Sequence, residues 1–134
     1  MKLSEEERVA IVTYRLERAK ETLIDARLSI QNSRWNSAAN RLYYTCFYAA
    51  IALLINDGRQ AHTHSGVKTL LGMYYVKTGI IDETMGQVYQ KTFSIRQTGD
   101  YDDLAFLTEQ DVKPLLALVE QFVAKIERII SKIA

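Results

Sequence analysis

Val9, Val12, Leu16, Ala19, Leu23, Ala26 and Ile30 stand at alternating steps of three and four residues. That spacing lines side chains along one face of an α-helix, and an apolar seam of this kind must be covered by other helices. It predicts one long helix from about Ser4 to Gln31. Ser4 and Glu7 have capping-box spacing, and Glu5, Glu6 and Glu7 favour the positive end of the helix dipole. Asn32 and Ser33 break the pattern, and a short turn there sets the next helix antiparallel.

The second predicted helix runs from about Trp35 to Ile55 and stops at Asn56-Asp57-Gly58. Its apolar residues (Ala38, Ala39, Leu42, Tyr43, Cys46, Phe47, Ala50, Ile51, Leu53, Leu54) cover so wide an arc that contacts on several sides are expected, as for a central helix. Val67, Leu70, Leu71 and Tyr74 mark a shorter third helix, with Thr63 and Ser65 as N-cap candidates and a stop at Thr78-Gly79. Asp82 can cap a fourth, ending near Thr98-Gly99 before an acidic loop from Asp100 to Leu107. Thr108 and Asp111 repeat the capping-box spacing. Pro114 then delays regular hydrogen bonding in the last helix, whose stripe runs from Val112 through Val119, Phe122 and Ile126 to Ile133. No β-like alternation, repeat or linker interrupts the series. The fold expected is all-α, an antiparallel up-and-down bundle of four to five helices forming a single domain over residues 1–134.

A net charge of +1 provides no global field toward nucleic acid or membrane, so any RNA contact must use a local patch. The longest apolar run, Cys46 to Ile55, is about half of a membrane span. The acidic amino terminus lacks the apolar core of a signal peptide, which makes a cytoplasmic protein the default expectation. Cys46 is the lone cysteine, which excludes an intrachain disulfide and a thiolate metal cluster. His62 and His64 share a face only in an extended segment and have no third ligand nearby, so no metal and no cofactor is expected. A capping or anion-binding role at a helix start suits them better.

The fourth helix carries the informative anomaly. Its stripe reads Met85, Val88, Tyr89, Thr92, Phe93, and the next member at that spacing is Arg96. The helical period therefore points a cation into an apolar groove, where a charge is costly unless paired. Asp100 lies one turn further on, with Asp103 close behind. One reading is a structural ion pair at the helix end. The other is an anion-handling arginine at a shared surface.

The segments RWNSAANRLYYTCFYAAIALL, HTHSGVKTLLGMYYVKTGII and IRQTGDYDD, in that order, resemble the HEPN domain family (higher eukaryotes and prokaryotes nucleotide-binding), closest to its small stand-alone prokaryotic members. The resemblance covers nearly the whole chain. It implies a helical bundle that pairs as a homodimer. Many members carry Arg, four to six residues, then His at the end of the helix corresponding to Met85–Thr98, and two such motifs face each other as a metal-independent ribonuclease. Others are encoded beside a minimal nucleotidyltransferase as toxin and antitoxin, or bind nucleotides. Here the motif arginine falls on Arg96, the histidine position falls on Tyr101 for a gap of four, and no later histidine exists.

That departure bears on the chemistry. Metal-free RNA cleavage needs a base for the 2′-hydroxyl, an acid for the leaving oxygen and positive charge against the phosphorane. Arginine supplies the charge. Histidine, with a reference pKa of about 6.5, suits proton transfer, whereas tyrosine at about 10 is a weak base that can still donate a hydrogen bond. Arg96, Tyr101 and Asp100 are thus the candidate catalytic residues, and Asn40, Arg41, Tyr44 and His64 the candidate nucleotide-binding ones. Three functions are open: a nucleotide- or RNA-binding domain working with a separately encoded nucleotidyltransferase, an endoribonuclease using Arg96 with Tyr101 or a loop histidine, or an adaptor bundle. Aliphatic surface on the first and last helices, with the tyrosines of the second, is available for a homodimer.

Overall fold

The computed structural model describes residues 2–101 and 106–131. Among the described residues six α-helices follow one another: α1 (Glu5–Gln31), α2 (Trp35–Asn56), α3 (His64–Leu71), α4 (Glu83–Tyr101), a single turn α5 (Glu109–Val112) and α6 (Leu115–Ser131). The long ones pack as an all-α bundle with α2 at its centre, touching α1, α4 and α6. On α2, Ala38, Ala39, Leu42, Tyr43, Cys46, Ala49, Ala50, Leu53 and Leu54 are all buried, so its wide apolar arc is used on several sides.

The capping signals act as the sequence suggests. Ser4 and Glu7 form a reciprocal capping box at the start of α1, and Thr108 and Asp111 form one at α5. Pro114 separates α5 from α6, which begins one residue later. Two cross-links fix how α1 lies on α6: Arg27 donates from Nε and Nη2 to Glu120 Oε2 (3.2 and 2.6 Å), and Lys20 meets Glu127 at 2.8 Å. The paired numbers rise on one helix as they fall on the other, so the two run antiparallel. These pairs are solvent-exposed and set orientation more than stability. By length and composition alone α2 could cross a membrane, but 61% of that window is buried inside the bundle, as for a core helix.

Three local departures from the expected pattern stand out. Val9, first member of the α1 seam, is exposed, and the buried seam begins at Val12. After Leu71 the chain makes a π-helical turn, Gly72–Val76, which absorbs an extra residue. The rotation places Tyr75 in the core and turns Tyr74 outward, the reverse of the expected stripe. Finally, α4 does not stop at Thr98-Gly99 but continues to Tyr101, which brings Asp100 into helical register with Arg96. Asp103 lies outside the described residues.

Candidate functional site

Arg96 sits where the α4 stripe places it, 8% exposed and facing α2. Its Nε donates to Asp100 Oδ2 at 3.0 Å, one helical turn on. Its Nη2 donates to the hydroxyls of Tyr44 (3.2 Å) and Tyr101 (3.1 Å). The guanidinium also lies over the rings of Tyr43, Tyr44 and Tyr101 at 5.5, 5.3 and 5.3 Å, where the negative ring faces favour a cation. Burial of this charge is thus compensated by one carboxylate and three phenols.

Asp100 is shared. Asn40 Nδ2 donates to the same Oδ2 at 3.0 Å, while Asn40 Oδ1 accepts from Arg41 Nε and Nη2 at 3.0 and 2.6 Å. Arg41 in turn lies 5.6 Å from the centre of the Tyr44 ring. The end of α4 is held against the start of α2 by Asn36, which donates to Gly99 O (3.2 Å) and accepts from Leu107 N (3.3 Å). A Cβ at position 99 would come within 2.9 Å of Leu107 Cδ1, so glycine leaves room for the Leu107 side chain against the end of α4. A cleft of about 380 Å³ opens over this corner, with Asp25, Ser29, Asn40, Arg41 and Asp100 on its walls.

His64, the first residue of α3, enters the same neighbourhood. Thr63 caps the helix by accepting from Gly66 N at 2.9 Å, and this turns His64 inward. Its ring centre lies 4.8 Å from that of Phe47, 5.2 Å from Tyr43 and 6.2 Å from Tyr44, so histidine and Arg96 share two tyrosine rings. Tyr43 Oη is hydrogen-bonded to His64 Nδ1, and lies 3.0 Å from Tyr89 Oη. Tyr89 donates to the backbone carbonyl of His64 at 3.2 Å. Each phenol has one proton. With that of Tyr89 on the carbonyl, Tyr43 donates to Tyr89, and His64 Nδ1–H donates to Tyr43. The neutral imidazole is then the Nδ1–H tautomer, with its lone pair on Nε2. Burial, and secondarily the charge of Arg96, hold His64 below the ordinary histidine value of 6.5. Burial pushes Tyr43 upward, and Tyr89 up to about 12, so both phenols keep their protons.

All seven residues singled out in the sequence, Arg96, Tyr101, Asp100, Asn40, Arg41, Tyr44 and His64, fall in this one connected cluster. Tyr43, Tyr89 and Asn36 were not singled out, although they orient the histidine and the helix end. Tyr43 and Tyr89 stand out only as members of ordinary apolar stripes, and Asn36, exposed at the start of α2, carries no signal of its own. His62 does not join the cluster; it is exposed and lines a different cleft. Among the described residues, no group of three or more His, Cys, Asp or Glu side chains could hold a metal ion.

The HEPN domain family matches residues 12–129. A UPF0332 protein of Thermotoga maritima is 40% identical over 124 residues, spanning 92% of this chain and 94% of that protein. A protein of Methanocaldococcus jannaschii described as a candidate toxin is 30% identical over 118 residues, 88% of this chain and 87% of its own. The crystal structure of TT1696 from Thermus thermophilus superposes with a TM-score of 0.74 at 18% identity, covering 87% of this chain and 96% of that one, which shows the shared fold. The bundle and the extent of these matches agree: the chain belongs to the HEPN domain family.

Proposed function

We propose that this protein is the toxin-like member of a pair: a cytoplasmic, homodimeric HEPN domain that binds a phosphate ester of RNA or nucleotide at the Arg96 cluster and works with a separately encoded minimal nucleotidyltransferase. Two Methanocaldococcus jannaschii relatives described as candidate toxins support the toxin-like part. The observation that carries the ligand is the buried Arg96 guanidinium, tied to a carboxylate that also lines an open cleft. An arginine needed only to close a helix end requires neither three phenols nor a second polar residue on its counter-ion. A phosphate oxygen would take the place of Asp100 Oδ2 on Nε, with Asn40 and Arg41 completing the donors. Tyr101 and Phe106 are 69% and 85% exposed, which leaves aromatic surface beside the site for a second copy.

Asp100 weakens the case for cleavage in the free protein, because it occupies Arg96 and would repel an incoming phosphate. A second reading, an endoribonuclease, is favoured by His64. Its Nε2 lone pair could take the 2′-hydroxyl proton, while Tyr101 and Arg96 face the phosphorane. The experiment pairs a thermal-shift titration using nucleotides and short RNA with incubation of total RNA in chelator, each beside Arg96→Ala. A ligand-induced rise in melting temperature that disappears in Arg96→Ala, with RNA intact, supports binding. Breakdown of RNA that depends on Arg96 supports the nuclease. No Arg96-dependent effect in either assay defeats both.

A further inference from the structure

A second cleft, of about 490 Å³, lies between the first half of α1, the end of α2 and the loop that follows it. Four cations, Lys2, Arg8, Arg15 and Arg59, stand on its walls, and none of the described residues that line it is acidic. The chain holds 17 Lys and Arg against 16 Asp and Glu, so this concentration of one sign is local and not a consequence of overall charge. Its floor is aliphatic, formed by Ile11, Ile51, Leu54 and Ile55. That volume falls in the range of pockets that enclose a small organic molecule, and a mostly apolar floor with a few charged groups is their usual composition.

Two of the cations have partners that explain their positions. Arg8 pairs with Glu5. Arg59 reaches Asp57 at 3.5 Å, donates to Tyr75 Oη at 3.1 Å and stacks 4.0 Å from the centre of the Tyr74 ring. It also stands at the C-terminal end of α2, whose dipole favours a cation. Arg15 has only the neighbouring Tyr14 ring, whose centre lies 5.9 Å from its guanidinium carbon. It makes no ion pair among the described residues, and its Nε is buried without a hydrogen-bond partner. A buried donor left unpaired on a charged group destabilises the fold, and a methionine of similar shape would avoid that cost. Arg15 also lines the cleft, where an anion can bond to the guanidinium nitrogens beyond Nε and offset that cost.

We propose that this cleft is a second anion site, separate from the Arg96 cluster, that takes the phosphate of a mononucleotide-sized organic phosphate. Arg15 binds the phosphate with Arg8, Arg59 and Lys2 around it, and the apolar body of the ligand lies on Ile11, Ile51 and Ile55. The same phosphate chemistry is presented by a free nucleotide and by the end of an RNA strand. The loop from Gly58 to His64 joins the two sites, with His62 at this cleft and His64 at the other.

The test is calorimetric titration of wild type, Arg15→Met, Arg59→Gln and Arg96→Ala in chelator, using ADP, a short 5′-phosphorylated oligonucleotide and inorganic phosphate. Saturable ADP or oligonucleotide binding that persists in Arg96→Ala and falls at least tenfold in Arg15→Met supports the proposal. Whichever of the two binds more tightly identifies the source of the phosphate. The unliganded Arg15→Met protein should melt no lower than wild type, which separates a lost ligand contact from a lost fold. Binding unchanged in both Arg15→Met and Arg59→Gln overturns the proposal, as does binding abolished by Arg96→Ala alone. No binding of any probe to wild type overturns it as well. Binding that Arg15→Met weakens and Arg96→Ala leaves unchanged upholds this site even if the Arg96 reading fails its own assays.

Discussion

Tyr43 and His64, 21 positions apart, are joined through the phenol and Nδ1, and Tyr89 closes the loop by donating to the backbone of the same histidine. This arrangement fixes the imidazole in one tautomer beside a permanent cation. Nitrogen NMR should show His64 protonated at Nδ1 in the neutral form. Its pKa should lie below 6.5 and move back toward that value in Arg96→Gln, since Arg96 is the second cause of the depression after burial. An unchanged titration in the variant would show that the two groups are not coupled.

The same depression has a consequence for stability. Between 6.5 and the lowered value the unfolded chain binds the proton that the folded chain refuses. Stability therefore falls as pH drops through that window, and the contribution is fully present above it. In His64→Gln, urea midpoints measured across that range should lose part of this slope.

Asp100 is both the partner of Arg96 and its competitor for phosphate. Its side chain is 26% exposed and also holds Asn40. Removing Arg96 therefore strands no fully buried charge, and Arg96→Leu should lower stability by about 1–2 kcal/mol, below the cost of breaking a buried pair. Asp100→Asn should keep the fold and strengthen RNA or nucleotide binding at least about tenfold, by removing one repelled charge. Weaker binding in Asp100→Asn would mean that the carboxylate belongs to the ligand site itself.

Tyr101 stands five positions after Arg96, where the family resemblance implies a histidine for a gap of four, and is largely exposed. Tyr101→His restores the Arg-to-His spacing without disturbing the core. A correctly placed general acid or base contributes about 10²–10⁴-fold, so metal-free RNA cleavage should rise at least tenfold, and should vanish again with Arg96→Ala. Gel assays in chelator measure this directly. No gain would mean that a second requirement is missing.

Gly86 tests the packing of α4 on the π-helical turn. A Cβ there would lie 2.6 Å from Val76 Cγ2. Overpacking costs about 1–3 kcal/mol, and alanine returns about 1 in helix propensity, so Gly86→Ala should be net destabilising by about 1 kcal/mol. Combining it with Val76→Ala should recover part of the loss, a coupling that a denaturant double-mutant cycle reads out.

Much of the site is legible in the chain because it rests on helical period. The α4 stripe predicts that Arg96 faces inward, and i,i+4 spacing selects Asp100 as its counter-ion. The expected end near Thr98-Gly99 falls two residues short of Tyr101, because Gly99 makes room for Leu107 within the helix and does not reverse the chain. Tyr74 and Tyr75 exchanged roles for a different reason. One π-helical turn rotates everything after it, and no residue type announces such a turn.

Local spacing by itself determined the all-α fold, the capped helix starts and the inward direction of Arg96, since each depends on residues within a few turns of one another. Only tertiary structure decided that Tyr44 and Asn40, 52 and 60 positions from their partners on α4, would meet Arg96 and Asp100. The same holds for His64 joining them, and for Arg15 being left with a buried, unpaired donor. Those outcomes depend on how whole helices cross and rotate against one another. That is set by the summed fit of many side chains, which no single stretch of sequence encodes.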